Sequence, residues 1–158
     1  MKTTMFGVLM FALAGALAQP ALAEEGTTNM DILIQKVKAD KKLLVAANMD
    51  LTDAEGKAFW PIYDAYQKDL QAVNERLAKA IGGYAEAYEK GPVSNDTAKK
   101  VFGEALAAEE AEVKLKQSYL PKLEKAVPAA KAVRYLQIEN KIRAAIKYEL
   151  ADQIPLVE

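Results

Sequence analysis

The 158-residue chain contains no cysteine and no histidine. Without cysteine no disulfide can staple the fold, and neither thiolate chemistry nor haem attachment through Cys-x-x-Cys-His is possible. Without histidine the commonest general base and the commonest transition-metal ligand are both missing. A Ser-His-Asp triad therefore cannot be built, and a di-iron bundle has no Glu-x-x-His motif. Beyond residue 23 only two serines remain, Ser94 and Ser118, and only two methionines, Met30 and Met49. No glycine-rich phosphate loop occurs, since Gly82-Gly83 lacks the flanking pattern. These gaps point to a protein that is not an enzyme and that uses no cofactor and no metal.

Long apolar runs are scarce as well. One runs uncharged from Met5 to Leu17, after Lys2 and before Ala21-Leu22-Ala23, which matches an A-x-A cleavage site. This is the layout of a secretory signal peptide over residues 1–23. As a helix the run would reach only ~20 Å, short of a bilayer core of ~30 Å. The mature chain is then a single domain over residues 24–158, carried to the periplasm without a transmembrane anchor. Its net charge is −2.

The mature sequence has the period of helices. Asn29 is placed to cap a first helix over about Met30 to Ala47, with Leu33, Val37, Leu44 and Val45 on its apolar face. Thr52 and Glu55 have the spacing of a capping box for a second, from Asp53 to Glu89. Phe59, Tyr63, Tyr66, Leu70, Val73, Leu77, Ile81, Tyr84 and Tyr88 follow at steps of three and four along it. Pro61 predicts a kink near Lys57 to Trp60, and Gly82-Gly83 a bend or an end. Gly91-Pro92 marks a turn. Ser94 or Asp96 caps a third helix, with Pro121 a potential kink and Pro128 its stop; a fourth spans Ala129 to Gln153. No alternating run reads as a strand. The expected fold is all-α, about four helices including a long kinked helical hairpin, with no β-sheet.

Two surfaces carry the functional question. The aromatic stripe is read mainly as the bundle's own core. Trp60, the only tryptophan, lies about 100° around the helix from Phe59. Part of the aromatic surface around it is then a competing candidate for an open binding groove or dimer interface. The segment Val113 to Tyr148 carries +7, leaving −9 on the rest of the mature chain. The plainer reading sets the basic C-terminal helices against acidic N-terminal ones; the sharper one makes a basic face for an acidic client, partner or membrane surface. Export to the periplasm argues against nucleic acid.

Leu51-Thr52-Asp53-Ala54-Glu55, opening the long helix, resembles the LTxxQ motif of Spy/CpxP-type periplasmic proteins, with Glu in place of the final Gln. "FWPIYDAY" after it and "VPAAKAVRYLQIENKI" from Val127 to Ile142 are similar to segments of small periplasmic proteins of that broader kind. Val93 to Thr97 lacks the leucine and glutamine of a second such motif. The resemblance implies an ATP-independent chaperone or stress-response adaptor that holds unfolded or envelope proteins on a helical surface and forms homodimers. The client- or partner-binding residues expected are Trp60, Tyr63, Tyr66, Arg134, Lys141 and Arg143. The alternatives are a regulatory or structural subunit docking on one specific envelope partner, and a carboxylate-based metal sensor.

Overall fold

The two longest helices begin where a side chain, Thr52 or Ser94, accepts from a free amide of the first turn. In the computed structural model, which describes residues 29–157 with side chains at 37 and from 39 onward, four helices follow one another: α1 (Asn29–Met49), α2 (Asp53–Glu89), α3 (Asn95–Ala126) and α4 (Ala129–Gln153). The signal-peptide reading, the polar lead Glu24 to Thr28 and the side chain of Leu33 lie outside the described residues. Among the described residues there is no strand, and no helix is long and apolar enough to cross a membrane.

The capping box forms as its spacing requires. Glu55 N donates to Thr52 Oγ1 at 3.3 Å, and Thr52 N donates to Glu55 Oε2 at 2.8 Å. Lys131 of α4 donates to the same Glu55 oxygen at 2.7 Å and to the Asp50 carbonyl at 2.6 Å. The Lys131 bond, with the Thr52 amide second, holds the Glu55 carboxyl below its ordinary pKa. Asp50, at φ 47°, takes the left-handed conformation that turns α1 into α2. Thr52→Ala is expected to cost about 1 kcal/mol, measurable as a lower urea midpoint at unchanged slope.

One expectation changes. α1 is broken at Asp40, whose φ −164°, ψ 100° is extended; Asp40 Oδ1 accepts from Leu43 N at 3.0 Å and so caps the second half of the helix. The predicted single helix missed this because the cap sits between lysines, where no apolar period is interrupted. α2, by contrast, runs unbroken through Pro61 and Gly82-Gly83 for 37 residues, or ~55 Å. Pro61 and Lys57 are both exposed, so water can serve the carbonyl that proline leaves without a donor. α3 likewise continues through Pro121, ending where Val127, before Pro128, is extended at φ −142°, ψ 160°.

The helices run alternately up and down. α2 and α3 pack along their lengths as the predicted hairpin, α4 lies against both α1 and α3, and α1 reaches α2 through long polar side chains: Lys41 to Gln67 and Lys42 to Asp64. The core is Val45, Met49, Phe59, Tyr63, Tyr66, Leu70, Tyr119, Leu123, Val127, Ala132 and Tyr135. Tyr84 ties down the C-terminal tail by donating to the Pro155 carbonyl at 3.0 Å.

Candidate functional site

The aromatic stripe of α2 turns inward. Phe59, Tyr66 and Tyr135 are fully buried, and Tyr63 and Tyr119 nearly so. Their rings meet mostly edge to face: Phe59 to Tyr135 at 5.1 Å, Tyr66 to Tyr119 at 5.2 Å and Tyr66 to Tyr135 at 5.7 Å between centroids. Such pairs add to the hydrophobic gain of burying the rings. Tyr63 and Tyr66, expected on a binding surface, are core residues instead and offer no face to a partner. Trp60 is half-buried at the edge of this cluster, 5.0 Å from Phe59 and 5.3 Å from Tyr63, with Lys42 Nζ 5.3 Å above its ring.

A polar layer crosses the same core. Glu139 is 3% exposed and accepts from Lys41 at 2.8 Å and from Gln67 at 2.9 Å. Gln67 also donates to the Tyr135 hydroxyl at 3.0 Å. Glu112, 6% exposed, pairs with Lys116 at 2.6 Å and Arg143 at 2.7 Å. A buried carboxylate is tolerable only when paired and hydrogen-bonded in this way. Arg143 also donates to Asn74 Oδ1 at 2.8 Å, so it is spent inside the bundle rather than free for a client. Burial, with Glu139 next, lifts the Tyr135 hydroxyl far above the ordinary tyrosine range; burial raises Tyr63 and Tyr66 too. Tyr119, buried and donating to Asp69 at 2.6 Å, is pushed up to about 12.

One hydroxyl in this layer has no partner among the described residues, that of Tyr66. A buried donor left unmade is costly, so Tyr66→Phe is expected to raise stability by about 1 kcal/mol. A fall in the urea midpoint would instead mean that a bound water completes the layer.

Two basic side chains on the outside of α4 stand apart from these pairings. Of the nine cations between Val113 and Tyr148, Lys114, Lys116, Lys131, Arg143 and Lys147 are paired with carboxylates, and Lys122 lies 4.0 Å over the Tyr119 ring. Of these partners only Glu55 belongs to an N-terminal helix; Glu109, Glu110 and Glu112 are on α3, so the basic charge is met mostly within α3 and between α3 and α4. Lys125, near the end of α3, and Arg134 and Lys141 of α4 are exposed and make no ion pair among the described residues; Lys125 is not at the groove described next. Arg134 and Lys141 lie seven residues apart, ~10 Å along the helix, beside a groove of about 560 Å³ between α1 and α4. Its apolar lining is Leu44, Ile138 and the buried Ile142; Asn48 and Gln137 add amides. Arg134 and Lys141 are the two predicted site residues that the fold brings to one open site. Trp60, Tyr63, Tyr66 and Arg143 do not line it.

The buried carboxylates were not foreseen, because the glutamates read as a solvated face. The signal was present: Glu139 falls between Tyr135 and Ile142 at helical spacing, and Glu112 between Ala108 and Tyr119. A charged residue on an apolar stripe implies a partner from another helix.

Fold and site together define an all-α helical bundle with an ionic layer in its core and, among the described residues, a groove of mixed apolar and basic lining between α1 and α4. No protein-family model, no curated protein and no solved structure matches the chain.

Proposed function

We propose that this is a binding protein of the bacterial periplasm, exported by a cleaved leader, that holds unfolded or envelope proteins without ATP. The observation that carries the reading is the groove between α1 and α4, where two unpaired cations, Arg134 and Lys141, flank an apolar lining. Such a surface suits exposed chain segments that combine apolar side chains with carboxylates. The apolar part supplies affinity, and the cations speed encounter and select for acid. The resemblance of Leu51 to Glu55 to the LTxxQ motif supports the same reading.

The test is suppression of aggregation of a chemically denatured client by residues 24–158 without ATP, beside a variant carrying Arg134→Glu and Lys141→Glu. Both positions are exposed, so the variant should fold. The wild type is expected to suppress aggregation and the variant to lose most of that effect. A wild type that leaves aggregation unchanged would overturn the holding function. A single tight, salt-sensitive complex in an envelope pull-down would then favour docking on one specific partner. Trp60→Ala, outside the groove, should leave suppression intact once its lower stability is allowed for.

A further inference from the structure

The groove between α1 and α4 has the pattern of a seam that two packed helices leave for a third. On α4, Arg134 and Lys141 are seven residues apart and share one stripe of the helix, with Ile138 between them. On α1, Leu44 and Asn48 stand one turn apart. Leu44 and Ile138 are half-buried and Ile142 is buried. Charges at a seven-residue interval beside an apolar seam are a pattern by which one helix selects another.

We propose that the occupant of this groove is an amphipathic helix of a client, with carboxylates seven residues apart and apolar side chains three and four residues after the first. The inference rests on the assignment of this groove to client holding, and it adds the conformation and residue pattern that the groove accepts. Two features select a helix over an extended segment. Arg134 and Lys141 are ~10 Å apart along α4, and carboxylates at i and i+7 of a helix repeat that interval on one face. Carboxylates on one side of an extended chain are ~7 Å or ~13 Å apart. An extended chain also brings main-chain amides and carbonyls that must be paired. Besides its two cations, the groove offers only the amides of Asn48 and Gln137, and Asn48 Nδ2 already donates to the Leu44 carbonyl at 2.8 Å. A helix pairs its own main chain and docks through side chains at three- and four-residue steps.

The sign of the charge follows from the lining. Among the described residues no carboxylate lines the groove, so a basic helix would meet two unanswered cations, which is repulsive. An acidic one answers both.

The experiment is fluorescence anisotropy of dye-labelled synthetic peptides of about 20 residues, titrated with residues 24–158. The first peptide carries glutamates at i and i+7 and leucines at i+3 and i+4 on an alanine-rich background. The second has the same composition with the glutamates moved to the opposite face. The third is the first with a central proline, which breaks the helix. The first should bind and gain helical circular dichroism in the complex. The second should bind on the order of tenfold more weakly, and the third more weakly still. The variant carrying Arg134→Glu and Lys141→Glu should lose the first peptide and bind one with lysines in place of its two glutamates. That exchange also shows the variant to be folded. No binding of the first peptide, equal binding of the first two, a proline peptide that binds as tightly as the first, or a charge exchange that restores nothing would each overturn the inference. Any of these beside aggregation suppression that still depends on Arg134 and Lys141 would leave the holding function standing. A protein that neither suppresses aggregation nor binds any of the peptides would overturn both.

Discussion

Raised above pH 10, the protein is expected to unfold cooperatively within about two to three pH units, with tyrosine ionisation and helix loss coinciding. The ordinary tyrosine pKa is about 10. In the folded chain Tyr63, Tyr66, Tyr119 and Tyr135 are held above it, chiefly by burial. Above pH 10 the unfolded chain therefore sheds protons that the folded chain keeps. The unfolded state then binds fewer protons, so stability falls as pH rises. It is intact below about pH 10 and declines until the folded-state values are reached. Each such tyrosine removes about 1.4 kcal/mol per pH unit, and four together roughly 5 kcal/mol per unit. An ordinary domain has about 5–15 kcal/mol to lose. Tyrosinate absorbance and circular dichroism followed together test this. Tyr119→Phe should flatten the pH dependence by about a quarter. Tyrosinate appearing for all four rings near pH 10 with helix intact would contradict the burial.

The largest single-site effect is expected at Tyr135. Its ring touches those of Phe59, Tyr63 and Tyr66, and its hydroxyl accepts from Gln67. Tyr135→Ala removes a fully buried ring where α4 meets the stripe of α2. The cavity and lost transfer energy together cost about 4 kcal/mol. For a chain of this size that lowers the melting temperature on the order of 15 °C. Tyr135→Phe keeps the ring and loses one hydrogen bond, so it should cost only about 1 kcal/mol. Thermal melts of the two variants beside the wild type separate packing from the polar layer. Equal losses would mean that the hydroxyl, not the ring, organises this part of the core.

How much was legible in the sequence depends on the distance over which each feature is decided. Thr52 with Glu55, Ser94 with Thr97, and Val127 before Pro128 act within three residues, and α2 and α4 have the predicted bounds. Burial of Phe59, Tyr63 and Tyr66 follows from spacing within one helix. Asp40 was missed because its bond to Leu43 competes with continuing the helix and leaves the apolar period uninterrupted. Arg134 and Arg143 look alike as basic residues of one helix. Only the neighbouring helices separate them: Arg143 meets Glu112 and Asn74, while Arg134 meets the groove.

By itself, then, the sequence determined an all-α chain, the caps and turns that divide it into four helices, and the apolar stripe that forms the core. These rest on backbone sterics, hydrogen bonds between near neighbours and the helical period. Tertiary structure alone decided which charges are consumed and which stay available. Lys41 and Glu139 are 98 residues apart and bond at 2.8 Å, and no local pattern in either segment specifies that meeting. A buried charge needs a partner from whichever helix lies opposite, so its role is settled only when the helices pack.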